Sequence, residues 1–156
     1  MSVTRDVGRL VMMGAIALAG TFASHNASAQ SFTLTSSTFK DGYHIFKMNV
    51  TTFKVTELKV NLSGVYGPGL AVDRAGNMYV SSYDTYTISV FAPGSENPTR
   101  TISGGSEDLT VTPDGTLYAM TGAGVDEYKP GSSSPDNVIN EPAGNIGFGI
   151  AIGPAH

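Results

Sequence analysis

The 156-residue chain contains no cysteine and no tryptophan, and only 14% of it is charged. Without cysteine there is no disulfide framework, no zinc–thiolate centre, no thiol nucleophile and no lipid-modified N-terminal cysteine. Basic residues are scarce as well: 9 Lys+Arg stand against 13 Asp+Glu, a net charge of −4. That balance argues against nucleic acid as a partner, because phosphate binding needs an excess of Lys and Arg on one face. Histidine is nearly missing. His25 and His156 lie near the ends, only His44 remains inside, and no serine sits in a Gly-x-Ser-x-Gly elbow, so a Ser-His-Asp arrangement has no foundation. His-x-His and His-Glu-x-x-His patterns are absent too, which removes the usual zinc enzymes.

What the chain does have is 19 Gly, 8 Pro and many Ser and Thr. With 40% hydrophobic residues and little charge, this is turn-rich β structure and not a disordered chain, which pairs low hydrophobicity with high net charge. Residues 1–29 read as a secretory signal. Arg5 and Arg9 precede the uncharged run Leu10–Ala23, and Ala27-Ser28-Ala29 is a small-x-small cleavage site before Gln30. The run falls short of the roughly 20 residues a bilayer-spanning helix needs, so no stable membrane anchor is expected. The leader is expected to be helical with no core to pack on. Losing it takes the net charge to −5, in keeping with a periplasmic or extracellular protein.

An internal repeat organises the rest. Gly69-Leu70-Ala71-Val72-Asp73-Arg74-Ala75-Gly76-Asn77-Met78-Tyr79-Val80 aligns with Asp108-Leu109-Thr110-Val111-Thr112-Pro113-Asp114-Gly115-Thr116-Leu117-Tyr118-Ala119 at an offset of 39. Phe91-Ala92-Pro93-Gly94 answers to Tyr128-Lys129-Pro130-Gly131 at an offset of 37. Gly149-Ile150-Ala151-Ile152 opens a further unit, and Val60–Gly64 echoes Arg100–Gly104. Each unit divides into four short strands, best seen as Leu70–Asp73, Asn77–Ser82, Thr87–Ala92 and Thr99–Ser103. Turn chemistry separates them: Pro presets φ, Asp caps the turn, and Gly takes positive φ. Asp73, Gly76, Asp114 and Gly115 are assigned to that geometry. Leu70, Tyr79, Leu109 and Tyr118 are assigned to recurrent packing between units. Residues 30–64 fit the repeat less well and are expected to form an incomplete first unit, with Ile45–Thr51 as its third strand and Leu58–Leu62 as its fourth. The repeats proper then run over 65–156.

A four-stranded antiparallel unit of about 40 residues has the size of a β-propeller blade. The pattern Gly-Leu-Ala-Val-Asp-x-x-Gly-Asn-x-Tyr-Val, followed by Ile-x-Val-Phe-x-Pro-Gly and Pro-x-x-x-Ile-x-Gly, resembles the NHL-type repeats of secreted bacterial six-bladed propellers. The expected fold is therefore all-β: propeller blades of four antiparallel strands, behind the signal helix. Residues 30–156 supply about three blades, whereas closed propellers carry four to eight, so the propeller is expected to be truncated. Open blade edges would favour self-association.

Candidate chemistry is sparse. Glu107 and Asp108 precede the first strand of one blade, where loops face a propeller's channel mouth, and they are the candidate oxygen ligands for Ca²⁺. The SMP-30 (gluconolactonase) hydrolases, similar to this chain in fold type, hold a divalent cation with such acids. Tyr66, Tyr83 and Tyr86 are aromatics beyond the repeat and are candidates for contact with a carbohydrate or peptide. The blade repeat with so little His and Cys points to a non-catalytic binding or interaction scaffold for a protein, peptide or carbohydrate. The resemblance holds open a metal-assisted hydrolase or lyase, and the truncated arithmetic a gene fragment without function of its own.

Overall fold

Strands form where apolar and β-branched residues alternate with polar ones, and they stop at Pro-Gly, Asp-Gly and Asn-rich turns. The computed structural model describes residues 31–38, 42–49, 51–63, 65, 69–104, 108–140 and 149–153. The leader, Tyr66 and Glu107 lie outside the described residues. Among the described residues eleven strands make three antiparallel sheets. Sheet one is β1 (Ser31–Thr38), β2 (Gly42–Asn49) and β3 (Val55–Leu58). Sheet two is β4 (Leu70–Val72), β5 (Met78–Ser82), β6 (Thr87–Phe91) and β7 (Arg100–Ser103). Sheet three is β8 (Asp108–Val111), β9 (Leu117–Thr121), β10 (Gly124–Tyr128) and β11 (Asn137–Asn140). Within each sheet the strands follow one another as neighbours, the meander of a propeller blade, and the three blades do not close into a ring.

Alternation gives each blade two faces, and the repeat decides which face meets which neighbour. In the second blade Leu70, Met78, Val80 and Phe91 pack with Ile45 of the first blade, and Leu58, Val60, Leu62 and Val65 close that layer. The opposite face, with Ala71, Tyr79, Ile88, Val90 and Ile102, packs on Leu109, Leu117, Ala119 and Tyr128 of the third blade. The third-blade residues in this layer are the repeat equivalents of Leu70, Met78, Val80 and Phe91, so one packing mode is used twice. Their counterparts on the third blade's far face are Thr110, Tyr118, Val125, Glu127 and Ile139, none of them fully buried.

Polar stitches repeat beside the apolar layers. The Ser103 amide donates to Ser133 O at 3.1 Å and Arg100 Nη1 to Ser132 O at 3.3 Å, joining β7 to the loop between β10 and β11. One blade earlier the Asn61 amide donates to Glu96 O at 2.7 Å.

The first blade departs from expectation in its last strand. Leu58–Leu62 is not a strand; pairing with β2 runs over Val55–Leu58 and ends where the expected strand begins. The cause is the preceding turn. Asn49 Oδ1 accepts the amides of Thr51 and Thr52 at 3.0 and 2.9 Å, Phe53 adopts φ 55°, and the Asn49 amide donates to Lys54 O. That tight reversal returns the chain to β2 by Val55. Residues 59–63 then cross toward the second blade, where Val60 and Leu62 cover the core.

Candidate functional site

A meander of four strands puts its turns at two ends. One end carries the connections from β5 to β6 and from β9 to β10, together with the starts of β4 and β8. The hydrogen bond from the Gly104 amide to Tyr86 O, at 3.0 Å, ties these two kinds of loop together. The other end carries the Asp-Gly turns and the Pro-Gly loops.

At the Asp-Gly end the carboxylates are engaged by their own turns. Asp73 accepts the Asn77 amide at 2.8 Å, Asn77 Nδ2 at 2.8 Å and the Tyr79 hydroxyl at 3.2 Å. Gly76 takes φ 87°, the left-handed conformation the reversal needs. In the next blade Asp114 accepts the Thr112 hydroxyl and the Thr116 amide, and those bonds hold its carboxyl below the usual Asp range. Burial, then the Asp73 carboxylate, raises the Tyr79 hydroxyl. Between the two turns lies a groove of about 490 Å³ lined by Arg74, Tyr79, Arg100, Asp114 and Pro130 among others. Arg100 is itself bonded to Ser132 O, so this groove is a seam between blades.

At the opposite end the strand starts converge. A Cβ placed on Gly69 would lie 2.9 Å from Asp108 Cα and 2.9 Å from Ser81 Oγ, so only glycine allows β4 and β8 to approach this closely. Asp108, 8% exposed, is the one buried acid among the described residues. Its Oδ1 accepts the Leu109 amide at 2.9 Å and its Oδ2 accepts the Ile150 amide at 3.1 Å. Since Ile150 belongs to the unit that follows, the carboxylate joins the openings of successive units. The signal for this contact is in the sequence, where Gly69, Asp108 and Gly149 hold the same repeat position.

Of the two acids expected to ligate Ca²⁺, only Asp108 lies among the described residues. Ca²⁺ takes six to eight oxygens, no group of three or more His, Asp or Glu residues gathers among the described residues, and both Asp108 oxygens face amide donors. Asp126 and Glu127 sit apart on β10. Asp126 lies between blades, its carboxyl raised by burial and lowered by the Tyr128 hydroxyl 3.4 Å away. Tyr128, 1% exposed, donates to Ser103 O at 3.0 Å, and burial with the Asp126 carboxylate pushes its hydroxyl up to about 12. His44 lies on the first blade with Nδ1 2.6 Å from Glu57 Oε1, a cross-strand pair on neighbouring strands.

Beside Asp108's end of the sheets stands the β5–β6 turn. Tyr83 and Tyr86 are 46% and 62% exposed, their ring centroids 5.8 Å apart with planes tilted 40°. Tyr118, by contrast, is half-buried on the far face of the third blade.

No family model matches the chain, and no curated protein does. Among solved structures, an X-ray structure of a provisionally assigned gluconolactonase matches with a TM-score of 0.58 at 16% identity, over 79% of this chain and 48% of that one. The chain thus spans about half the length of that structure, and what the two share is the β-propeller fold.

Proposed function

We propose that the protein is an extracytoplasmic β-propeller module that binds a ligand at the end of the blades bearing Asp108 and the β5–β6 turn, and does no chemistry on it. One observation carries the reading: the buried carboxylate at that end is engaged by the Leu109 and Ile150 amides, a clamp between units and not a vacant ligand. The leader motif, with Arg5, Arg9 and Ala27-Ser28-Ala29, supports a place outside the cytoplasmic membrane.

A second reading, a metal-assisted sugar-lactone hydrolase, is favoured by the description of the structural neighbour as a gluconolactonase. Calorimetric titration of the full chain with Ca²⁺, paired with a pH-stat assay on glucono-δ-lactone, separates the two. The binding reading expects no stoichiometric Ca²⁺ heat and a lactone rate equal to buffer. Stoichiometric Ca²⁺ binding together with hydrolysis, both lost in Asp108→Asn, establishes the enzyme and overturns the binding module. A monodisperse species with one cooperative melt is expected and counts against a functionless fragment.

A further inference from the structure

The two four-stranded blades are each other's control, and within them one connection differs in length. Blade three turns from β9 to β10 with two residues, Gly122-Ala123, between the paired Thr121 and Gly124. Blade two turns from β5 to β6 with four, Tyr83-Asp84-Thr85-Tyr86, between the paired Ser82 and Thr87. This insertion accounts for the fall of the repeat offset from 39 to 37: between these two blades, matches before the turn run at the first value and matches after it at the second. The blade closes without these two extra residues, so the longer turn is not a requirement of the fold.

Its composition is unlike that of a turn chosen for turning. Four-residue turns favour Gly, Asn or Asp where φ is positive, yet Tyr86 stands at φ 49°, a conformation strained for a bulky side chain. The strain is held in place. The Tyr86 carbonyl accepts the Gly104 amide at 3.0 Å, the Thr85 amide points at Ser82 Oγ at 3.5 Å, and the Thr85 and Thr87 hydroxyls bond at 2.8 Å. What the strained turn achieves is the presentation of two phenol rings to solvent, side by side and tilted 40°. Tyrosine gives large contact area for little side-chain entropy, and a pre-set pair has little left to lose on binding.

We infer that the Tyr83–Tyr86 turn is a binding platform for the apolar face of a neutral saccharide. The assignment rests on the binding reading above and names its ligand class. A sugar ring offers C–H bonds on its face and hydroxyls at its rim. The tyrosine faces match the first, and the hydroxyls of Thr85 and Thr87 and the Asp84 carboxylate, all in or beside the same turn, match the second. No Lys or Arg lies in the turn, so phosphate or sulfate esters are not its ligands. A proline-rich peptide is the competing partner for a tyrosine pair, but it needs an aromatic-lined groove, and the two rings stand on an exposed turn.

The test titrates the full chain with cellohexaose, maltohexaose and chitohexaose by calorimetry. Tyrosine emission is a second readout, unmasked because the chain has no tryptophan. Saturable binding to at least one of these is expected, weakened roughly threefold to tenfold by Tyr83→Ala or Tyr86→Ala. Exchanging residues 83–86 for Gly-Ala, the turn blade three already uses, should abolish binding while the melt stays cooperative. If that exchange does not fold, the two alanine variants decide. Undiminished saccharide binding in the variants overturns this platform while leaving a binding module standing elsewhere. Binding of none of the three overturns the saccharide assignment, as does capture of a proline-rich peptide in their place. Ca²⁺-dependent lactone hydrolysis would instead remove the reading beneath it.

Discussion

Ile102 and Ile139 allow the propeller packing to be measured with one substitution made twice. They hold the same position in successive blades, Ile102 paired across the sheet with Ile88 and Ile139 with Val125. Their surroundings differ. Ile102 is 1% exposed in the layer between blades two and three, while Ile139 is 49% exposed on the third blade's far face. Ile102→Ala removes buried carbon and leaves a cavity between two sheets, at a cost of about 3–4 kcal/mol. For Ile139→Ala roughly half the transfer contribution is already lost to water and no enclosed cavity forms, so the cost is about 1 kcal/mol. In a domain of this size 1 kcal/mol moves the melting temperature by roughly 3–5 °C. The first variant should therefore melt about 10–20 °C low and the second within about 5 °C of the parent. Urea titrations followed by far-UV circular dichroism, run at two protein concentrations with m compared between variants, give the free energies. Losses equal to within about 0.5 kcal/mol would refute the blade-on-blade arrangement. A large loss at Ile139 that depends on protein concentration would show a second copy covering that face.

Other expectations follow from the same interfaces. Gly69→Ala places a methyl group 2.9 Å from the Asp108 backbone and should cost about 1–3 kcal/mol by thermal melt, whereas Gly122→Ala, with nothing within 4 Å, should be close to neutral. Tyr128→Phe loses the donor to Ser103 O and should cost about 1 kcal/mol in urea titrations. The folded Tyr128 hydroxyl titrates near 12, so stability should fall as pH rises from the ordinary tyrosine value near 10 through 12, and in Tyr128→Phe that part of the alkaline loss should vanish. Asp126 is likewise raised in the folded state: its contribution is present below the ordinary Asp range and lost as pH rises through the folded value. Asp126→Asn should melt higher than the parent at pH 7, with the gap closing at pH 3; an unchanged gap would show that ionisation is not the cause.

The second blade was legible in the sequence almost strand for strand, because there both signals agree: β-branched alternation sets the strands, and the Asp73-to-Gly76 turn and Pro93-Gly94 set their ends. Expected Thr87–Ala92 and observed Thr87–Phe91 differ by one residue. The first blade was misjudged where a side chain, and not a glycine or proline, makes the turn. Asn49 caps two amides and Phe53 takes a left-handed φ, neither of which periodicity reveals. The candidate site shows the same division. Asp108 was picked out as an acid at a strand start, but whether such an acid meets a cation or an amide depends on where the next unit's backbone lies, and only the folded chain places Ile150 beside it. Repeat equivalence is the part of the sequence that carries this information. Gly69, Asp108 and Gly149 open successive units, and stacking blade on blade must bring equivalent strand starts together. Read that way, a residue's departure from its own repeat is the sharpest functional signal in a repeat protein. It singles out Asp108, where the other units have glycine, and the tyrosine turn, where the third blade manages with Gly-Ala.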